Sequence, residues 1–146
     1  MSEKQKIVIL LDNFAKSEAE SALAAYAGTG ADASRIIVAP VTDQMAAQNS
    51  AKAIDDIMAG KWSGGTPRSM DRRGALIAGA DKRSAVILMR CFKSVLPKGA
   101  DAAFAMVTQT GLTWTVAEYL AHICKEHKFM KNANPADDPD MKAIEE

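Results

Sequence analysis

The chain has 146 residues, of which 48% are hydrophobic and 25% charged, and its formal net charge is zero. This composition describes an ordinary soluble globular chain that is long enough to fold without disulfide or metal staples. Zero net charge gives no general attraction to nucleic acid, and no apolar run approaches the roughly 20 residues that span a bilayer.

The first three predicted elements are a strand, a helix and a second strand. "KIVILLD" is a continuous β-branched and leucine run, which is typical of a central strand covered on both faces. In "AKSEAESALAAYAG", Ser17 and Glu20 have the spacing of a capping box, and Gly28 or Gly30 is expected to end the helix. "RIIVAPV" is the second strand, and Pro40 favours an edge position or a strand end because it cannot donate to a ladder.

The segment "DKRSAVILMRCFKSVLPKG", after the strand "GALIAG", is ambiguous because "AVILM" could also form a strand. Its apolar residues recur at helical intervals, Asp81 stands where a cap is needed, and Pro97 with Gly99 closes the segment, so we predict a helix. Val86, Ile87 and Cys91 widen its apolar face. The helix should therefore be covered on more than one side, by the other half of the chain or by a second subunit.

The last predicted helix, "TWTVAEYLAHICKEH", follows the strand "AFAMVT". Thr115 and Glu118 form a capping box, and Trp114 and Tyr119 stand at the positions of a hydrophobic staple. This local rule accounts for Trp114 without a ligand.

When the sequence is aligned with itself at an offset of 66 residues, apolar and turn-forming residues coincide across four successive elements without a gap. Val41-Thr42 falls on Val107-Thr108 in this register, and Leu10 falls on Leu76. Fixed-period similarity of this kind indicates a duplication. We therefore predict an α/β fold in which two βαβα repeats, residues 6–60 and 72–126 joined by a linker at 61–73, form a mainly parallel four-stranded sheet with packed helices. Residues 1–130 would be one domain and 131–146 a flexible acidic tail.

The second repeat resembles a small prokaryotic α/β family known only as a domain of unknown function. The resemblance covers residues 74–126 and consists of a strand, an apolar helix, a strand ending at Val107-Thr108, and Trp114-Thr115 opening the last helix. The first repeat departs from it, with Gln48-Asn49 in place of the Trp-Thr pair. The resemblance implies a fold and no activity.

Parallel strand-helix units place functional loops at the carboxyl ends of their strands, where helix amino termini can hold a phosphate or carboxylate. This rule selects as candidate ligand-binding residues Asp12, Asn13, Thr42, Asp43, Gln44, Asp81, Lys82, Thr108, Gln109, Thr110 and Thr113. The alternative is that these residues only cap helices and form turns, which is the commoner use of such side chains.

The loop "GKWSGGTPRSMDRRG" between the repeats carries the cations Lys61, Arg68, Arg72 and Arg73. It could grip an anion, or be a solvated linker with the acidic tail as its partner. It lacks the glycine spacing of a phosphate-binding P-loop. Because it leads into the third strand, it is expected at the end of the sheet opposite to the candidate loops.

Metal and covalent chemistry are not predicted. Cys124 and His127 lie three residues apart on one helix, but four ligands are usual for zinc and Cys91 is the only other thiol. Both cysteines lie in apolar stretches and no secretory signal precedes them, so we expect buried, reduced thiols and a cytoplasmic protein. No catalytic residue, metal or cofactor is predicted.

Two functional hypotheses remain open. The leading one is a small non-catalytic binding or assembly module that forms a homodimer and binds an unidentified small molecule or protein. The alternative is a small-molecule enzyme, or a nucleotide- or anion-binding regulator, that works at the strand-end loops. Nucleic-acid binding through Arg68, Arg72 and Arg73 is the least favoured because the net charge is zero.

Overall fold

A computed structural model describes residues 6–61, 73–96 and 102–133. These residues form four strands and five helices, and each strand is followed by a helix as predicted, except that two helices follow the second strand where the sequence predicts one. The elements are β1 (Ile7–Asp12), α1 (Lys16–Gly28), β2 (Ile36–Pro40), α2 (Asp43–Ala46), α3 (Ser50–Met58), β3 (Arg73–Ala78), α4 (Lys82–Val95), β4 (Ala102–Met106) and α5 (Val116–Ala133). Of the predicted tail, residues 131–133 continue α5, and 134–146 lie outside the described residues, as do Pro97 and Gly99.

The strands form one sheet in the order β2-β1-β3-β4. Strand β1 pairs parallel to β2 and β3 pairs parallel to β4, whereas the central pair, β1 and β3, is antiparallel. The predicted α/β class and mainly parallel sheet are thus confirmed, with an antiparallel junction at the centre. As predicted, the apolar β1 is a central strand, and β2, which ends at Pro40, is the outermost strand on one side of the sheet.

Helices cover both faces of the sheet, because alternate residues of each strand point to opposite sides. Ile7, Ile9 and Leu11 pack on the side of α1 and α4. Val8 and Leu10 pack on the side of α2, α3 and α5. Strands buried on both faces need apolar residues at every position, and all six residues of β1 are buried.

The ambiguous segment is helical, as its periodicity predicts. In α4 the buried residues are Ala85, Leu88, Met89, Cys91 and Phe92. The Asp81 carboxylate accepts a hydrogen bond from the Ser84 N–H at 2.7 Å and caps the helix. Helical spacing gathers these apolar side chains on one stripe against the sheet and α1, which a strand could not do.

The predicted capping box at Ser17 and Glu20 is wrong. Helix α1 begins two residues earlier, with Ala15 at the N-cap, and the Glu18 carboxylate accepts from the Ala15 N–H at 2.8 Å. The chain leaves β1 through Asn13, whose φ of 68° is left-handed and turns the backbone directly into the helix. Glu18 therefore takes the place that the sequence pattern gave to Glu20.

The predicted start of α5 is confirmed. Thr115 N–H donates to the Glu118 carboxylate at 3.0 Å, and Glu118 N–H donates to the Thr115 hydroxyl at 3.1 Å. The rings of Trp114 and Tyr119 meet edge to face, with their centroids 5.5 Å apart, as a staple requires.

Backbone hydrogen bonds of the two halves correspond at the 66-residue offset. Val41 N–H donates to the carbonyl of Leu11 at 2.8 Å, and Val107 N–H donates to the carbonyl of Ile77, also at 2.8 Å. The strand registers agree as well, since β1 meets β2 at the pair Ile7 and Ile36 while β3 meets β4 at the pair Arg73 and Ala102.

At each of two contacts between the halves, one residue pairs with the residue 66 positions later in the chain. Leu10 pairs with Leu76 at the antiparallel junction. Asn49 and Thr115, the N-caps of α3 and α5, form an isolated antiparallel bridge. Its two hydrogen bonds, Ser50 N–H to Trp114 O and Val116 N–H to Gln48 O, are both 2.9 Å long and exchange places under the same offset. A local two-fold axis therefore relates the residues at both contacts.

Candidate functional site

The loops selected from the sequence lie at two opposite edges of the sheet. Because β1 and β3 are antiparallel, the carboxyl ends of β1 and β2 meet at one edge and those of β3 and β4 at the other. We call the edge with Asp12 and Thr42 the first edge, and the edge with Asp81 and Thr108 the second edge. No single site can contain all four loops.

At the first edge, three of the predicted residues serve the chain's own backbone or lie in the interior. Asp12 is buried, and the left-handed Asn13 forms the turn into α1. The Thr42 hydroxyl accepts from the Met45 N–H at 3.0 Å and caps α2. Asp43 and the neighbouring Gln44 are exposed.

Arg73 lies at the first edge and not, as the sequence suggested, at the end of the sheet opposite to the β1 loop. The antiparallel register places the next residue, Gly74, directly against Asp12. Arg73 Nη2 lies 3.2 Å from the Glu18 carboxylate, and its guanidinium lies over the Phe14 ring, 5.9 Å from the centroid. One terminal nitrogen of Arg73 is therefore paired with a carboxylate of the protein, whereas its Nε has no hydrogen-bond partner in the described structure. Of the other cations of that loop, Lys61 is exposed, and Arg68 and Arg72 lie outside the described residues.

At the second edge, Asp81 and Lys82 are exposed at the start of α4. Hydrogen bonds from Ser84 lower the pKa of the Asp81 carboxyl, and the charges of Arg35 and Arg83 act in the same direction. The Asp81 side chain is thus held charged at the helix amino terminus, where the dipole favours an anion of the chain itself.

The threonines after β4 are also used locally. The Thr108 hydroxyl accepts from the Gly111 N–H at 3.2 Å, and the Thr113 hydroxyl donates to the carbonyl of Thr110 at 2.7 Å. All three threonines and Gln109 have exposed side chains. Their hydrogen bonds form the turn that leads into α5.

Tyr119, which the sequence analysis did not place at this edge, holds the end of β4 and the following turn through two hydrogen bonds. The buried Tyr119 hydroxyl accepts from the Thr108 N–H at 2.9 Å and donates to the carbonyl of Met106 at 3.3 Å. Gly111 leaves room for the ring, because a Cβ at that position would lie 2.1 Å from Cζ of Tyr119. The glycine in "TQTGLT" is the one sequence signal that could have indicated this close approach.

Trp114 packs beyond its staple partner onto His122, with the ring centroids 4.7 Å apart. His122 in turn lies 2.8 Å from the Glu126 carboxylate and is exposed. The side chains of Trp114, Tyr119 and His122 form a continuous stack along the first two turns of α5, which accounts for the tryptophan by packing.

The two cysteines are buried on opposite faces of the sheet. Cys91 belongs to the core on the α4 side, and burial raises the pKa of its thiol. Cys124 belongs to the core on the other side of the sheet, with its thiol 3.7 Å from the carbonyl of Arg73. In the described part of the chain no three histidine, cysteine or acidic side chains are grouped as metal ligands. Every helix there is too short or too polar to cross a lipid bilayer.

The outer face of α4 combines charge with apolar surface. We use this name for Arg83, Val86, Ile87 and Arg90, whose spacing of three, four and seven residues places them on one side of the helix. Both arginines are exposed, and both aliphatic side chains are half-buried, with part of their surface packed against the core on this side of the sheet. With Lys82 and Lys93 added, α4 contains four cations and no acidic residue.

The corresponding face of α1 is small and polar. The residues displaced by 66 positions from the outer face of α4 are Ser17, Glu20, Ser21 and Ala24, all of them exposed. Helices α1 and α4 pack beside each other on the same side of the sheet. Helices α1 and α4 thus differ in the side chains that their outer faces show to solvent.

Comparison with known proteins relates one segment of the chain to a protein family. No curated protein and no solved structure matches the chain. Residues 75–130 match the family model of DUF3783, a domain of unknown function, so the segment from β3 into α5 is similar to an uncharacterised family, as its motifs predict.

Proposed function

We propose that the chain is a duplicated βαβα unit that works as a non-catalytic binding module in the cytoplasm. The duplication is supported by the paired hydrogen bonds of the two halves and by the two contacts where a residue meets its counterpart, Leu10 with Leu76 and Asn49 with Thr115. The family match begins within β3 and ends within α5, so it covers one of the two units.

The binding surface in this proposal is the outer face of α4, and its partner is an acidic protein segment that also carries apolar side chains. Half-buried Val86 and Ile87 offer apolar contact, and Arg83 and Arg90 flank them with charge. Arginine is common at protein interfaces because its planar group pairs well with carboxylates. The single observation that carries the proposal is this combination on α4 and its absence from the matching face of α1.

The predicted homodimer does not use α4 against α4. A two-fold interface pairs a surface with itself, and so it would place Arg83 and Arg90 against the same arginines of a second copy. The outer face of α4 is therefore better suited to an acidic partner. A homodimer through another surface stays a prediction, and light scattering at micromolar concentration checks it.

Titration with a defined peptide tests the proposal. The probe is a synthetic peptide of aspartate, glutamate and isoleucine, and its control has asparagine and glutamine at the acidic positions. The acidic peptide should bind, and the double variant Arg83→Glu/Arg90→Glu should weaken it by about tenfold, the loss expected from two exposed ion pairs. A matched double variant of exposed lysines elsewhere, Lys16→Glu/Lys125→Glu, should bind normally. Equal binding of both peptides, or of wild type and the arginine variant, would refute the proposal.

A small-molecule or anion-binding role at the first edge is the second candidate. It is supported by the approach of Arg73 to the loop of Asp12 and Asn13, which joins candidates from two separate stretches of sequence. A thermal-shift screen of nucleotides and phosphorylated metabolites distinguishes the two candidates. A ligand at 100 times its dissociation constant stabilises by about 2.7 kcal/mol, and a shift abolished by Arg73→Gln would favour this site.

A further inference from the structure

The acidic segment at residues 134–146 has the composition that the outer face of α4 requires. We propose that this segment docks on the outer face of α4 of its own chain and covers it until an acidic partner displaces it. The inference rests on the proposed function, because it names an occupant for the same surface.

Charge complementarity is the first argument. Residues 134–146 contain one lysine and five acidic residues, which are Asp137, Asp138, Asp140, Glu145 and Glu146. Helix α4 contains four cations and no acid. The same segment supplies Met141 and Ile144, which are suited to contact with Val86 and Ile87.

Reach is the second argument. By Cys124, α5 has returned to the first edge, since the thiol of Cys124 lies 3.7 Å from the carbonyl of Arg73. The last turns of α4 are at that edge too, because Lys93 lies over the ring of Phe104 near the start of β4, at 5.6 Å. Residues 134–146 span about 43 Å when extended at about 3.3 Å per residue, whereas packed layers are roughly 10 Å apart. Helix α5 continues for nine residues beyond Cys124, about 14 Å at about 1.5 Å per residue, so the path from Ala133 must first return to the first edge before it crosses to the last turns of α4, and the extended segment is still longer than this path.

Tethering strengthens such a contact. Exposed ion pairs are individually weak, but a short linker raises the effective concentration of the segment to the millimolar range. Attraction between exposed charges is screened by salt, so the docked state should weaken as ionic strength rises.

Cross-linking in the full-length chain tests the proposal. A water-soluble carbodiimide activates a carboxylate, a lysine amine attacks the activated carbon, and an amide forms as the carbodiimide leaves as its urea. Mass spectrometry should find residues 134–146 joined to Lys93 at low salt. Lys125 and Lys128 of α5, which precede the segment in the chain, provide an internal reference for cross-links that need no docking.

The variant Arg83→Glu/Arg90→Glu should lower the yield at Lys93 by about tenfold and leave the yield at Lys125 and Lys128 unchanged. Raising the salt to about 0.5 M should act in the same way. Cross-links confined to Lys125 and Lys128, or insensitive to the arginine variant, would overturn the proposal.

Mixing isotope-labelled and unlabelled chains separates contacts within a chain from those between chains. Cross-links mainly between labelled and unlabelled chains would also overturn the proposal, and would assign the contact to a second copy. If the segment is not cross-linked to α4 but the synthetic acidic peptide still binds there, only this inference fails. If the peptide does not bind either, the proposed function fails with it.

Discussion

Replacing Gly111 with alanine should destabilise the protein by about 3 kcal/mol. The added Cβ would lie 2.1 Å from Cζ and 2.5 Å from the hydroxyl oxygen of Tyr119, so the buried ring must move. Moving it breaks the hydrogen bonds from Thr108 N–H and to Met106 O, each worth about 1 kcal/mol. Overpacking adds about 1–3 kcal/mol, and the lower entropy of an unfolded chain with alanine offsets a little of the loss.

Urea denaturation of the purified chain measures this effect as a lower transition midpoint at an unchanged m-value. Gly28→Ala is the matched control, because nothing lies within 4 Å of a Cβ at that position. The control should unfold within about 0.5 kcal/mol of wild type. A Gly111→Ala protein as stable as wild type would refute the packing argument.

A double-mutant cycle tests the physical reason. The residues 66 positions before Gly111 and Tyr119 are Met45 and Ala53, a larger residue combined with a smaller one. In a Tyr119→Ala background, Gly111→Ala should therefore cost less than about 0.5 kcal/mol, which gives a coupling energy of about 2–3 kcal/mol. Additive costs would mean that the two side chains do not interact.

Three further substitutions test single interactions. Ser50→Ala should raise the free energy of unfolding by about 1 kcal/mol, because it removes a fully buried hydroxyl that has no hydrogen-bond partner in the described structure; a loss of stability in urea would contradict this. Glu18→Gln should cost about 1–2 kcal/mol in the same assay, since it removes the charge that pairs with partly buried Arg73, and an unchanged midpoint would argue against the pair. The pKa of Glu118 lies below its ordinary value of 4.5 because of hydrogen bonds with Thr115, so the stability that its charge confers is present above pH 4.5 and lost as pH falls through the lowered pKa. The difference in unfolding free energy between wild type and Glu118→Gln should therefore disappear over that acidic range. A difference that persists at lower pH would refute the assignment.

The starts of two helices could be predicted from the sequence because helix caps are local hydrogen bonds. The caps at Asp81 and Thr115 join residues three positions apart, so the pattern of residues is sufficient to predict them. The start of α1 was missed because Ser17–Glu20 and Ala15–Glu18 both end in a glutamate at capping distance. The backbone decided between them, since the left-handed turn at Asn13 starts the helix early.

The sequence by itself determined the strands and most of the helices, because hydrophobic periodicity and capping act over a few neighbouring positions, and it predicted a repeat at an offset of 66 residues. It could not determine how the halves join, since a repeat has the same sequence pattern whether its copies lie parallel or are related by a two-fold axis. Only the tertiary structure decided for the antiparallel pairing of Leu10 with Leu76. That pairing separates the candidate loops onto two edges, brings Arg73 to Asp12, and leaves α1 and α4 side by side with different outer faces.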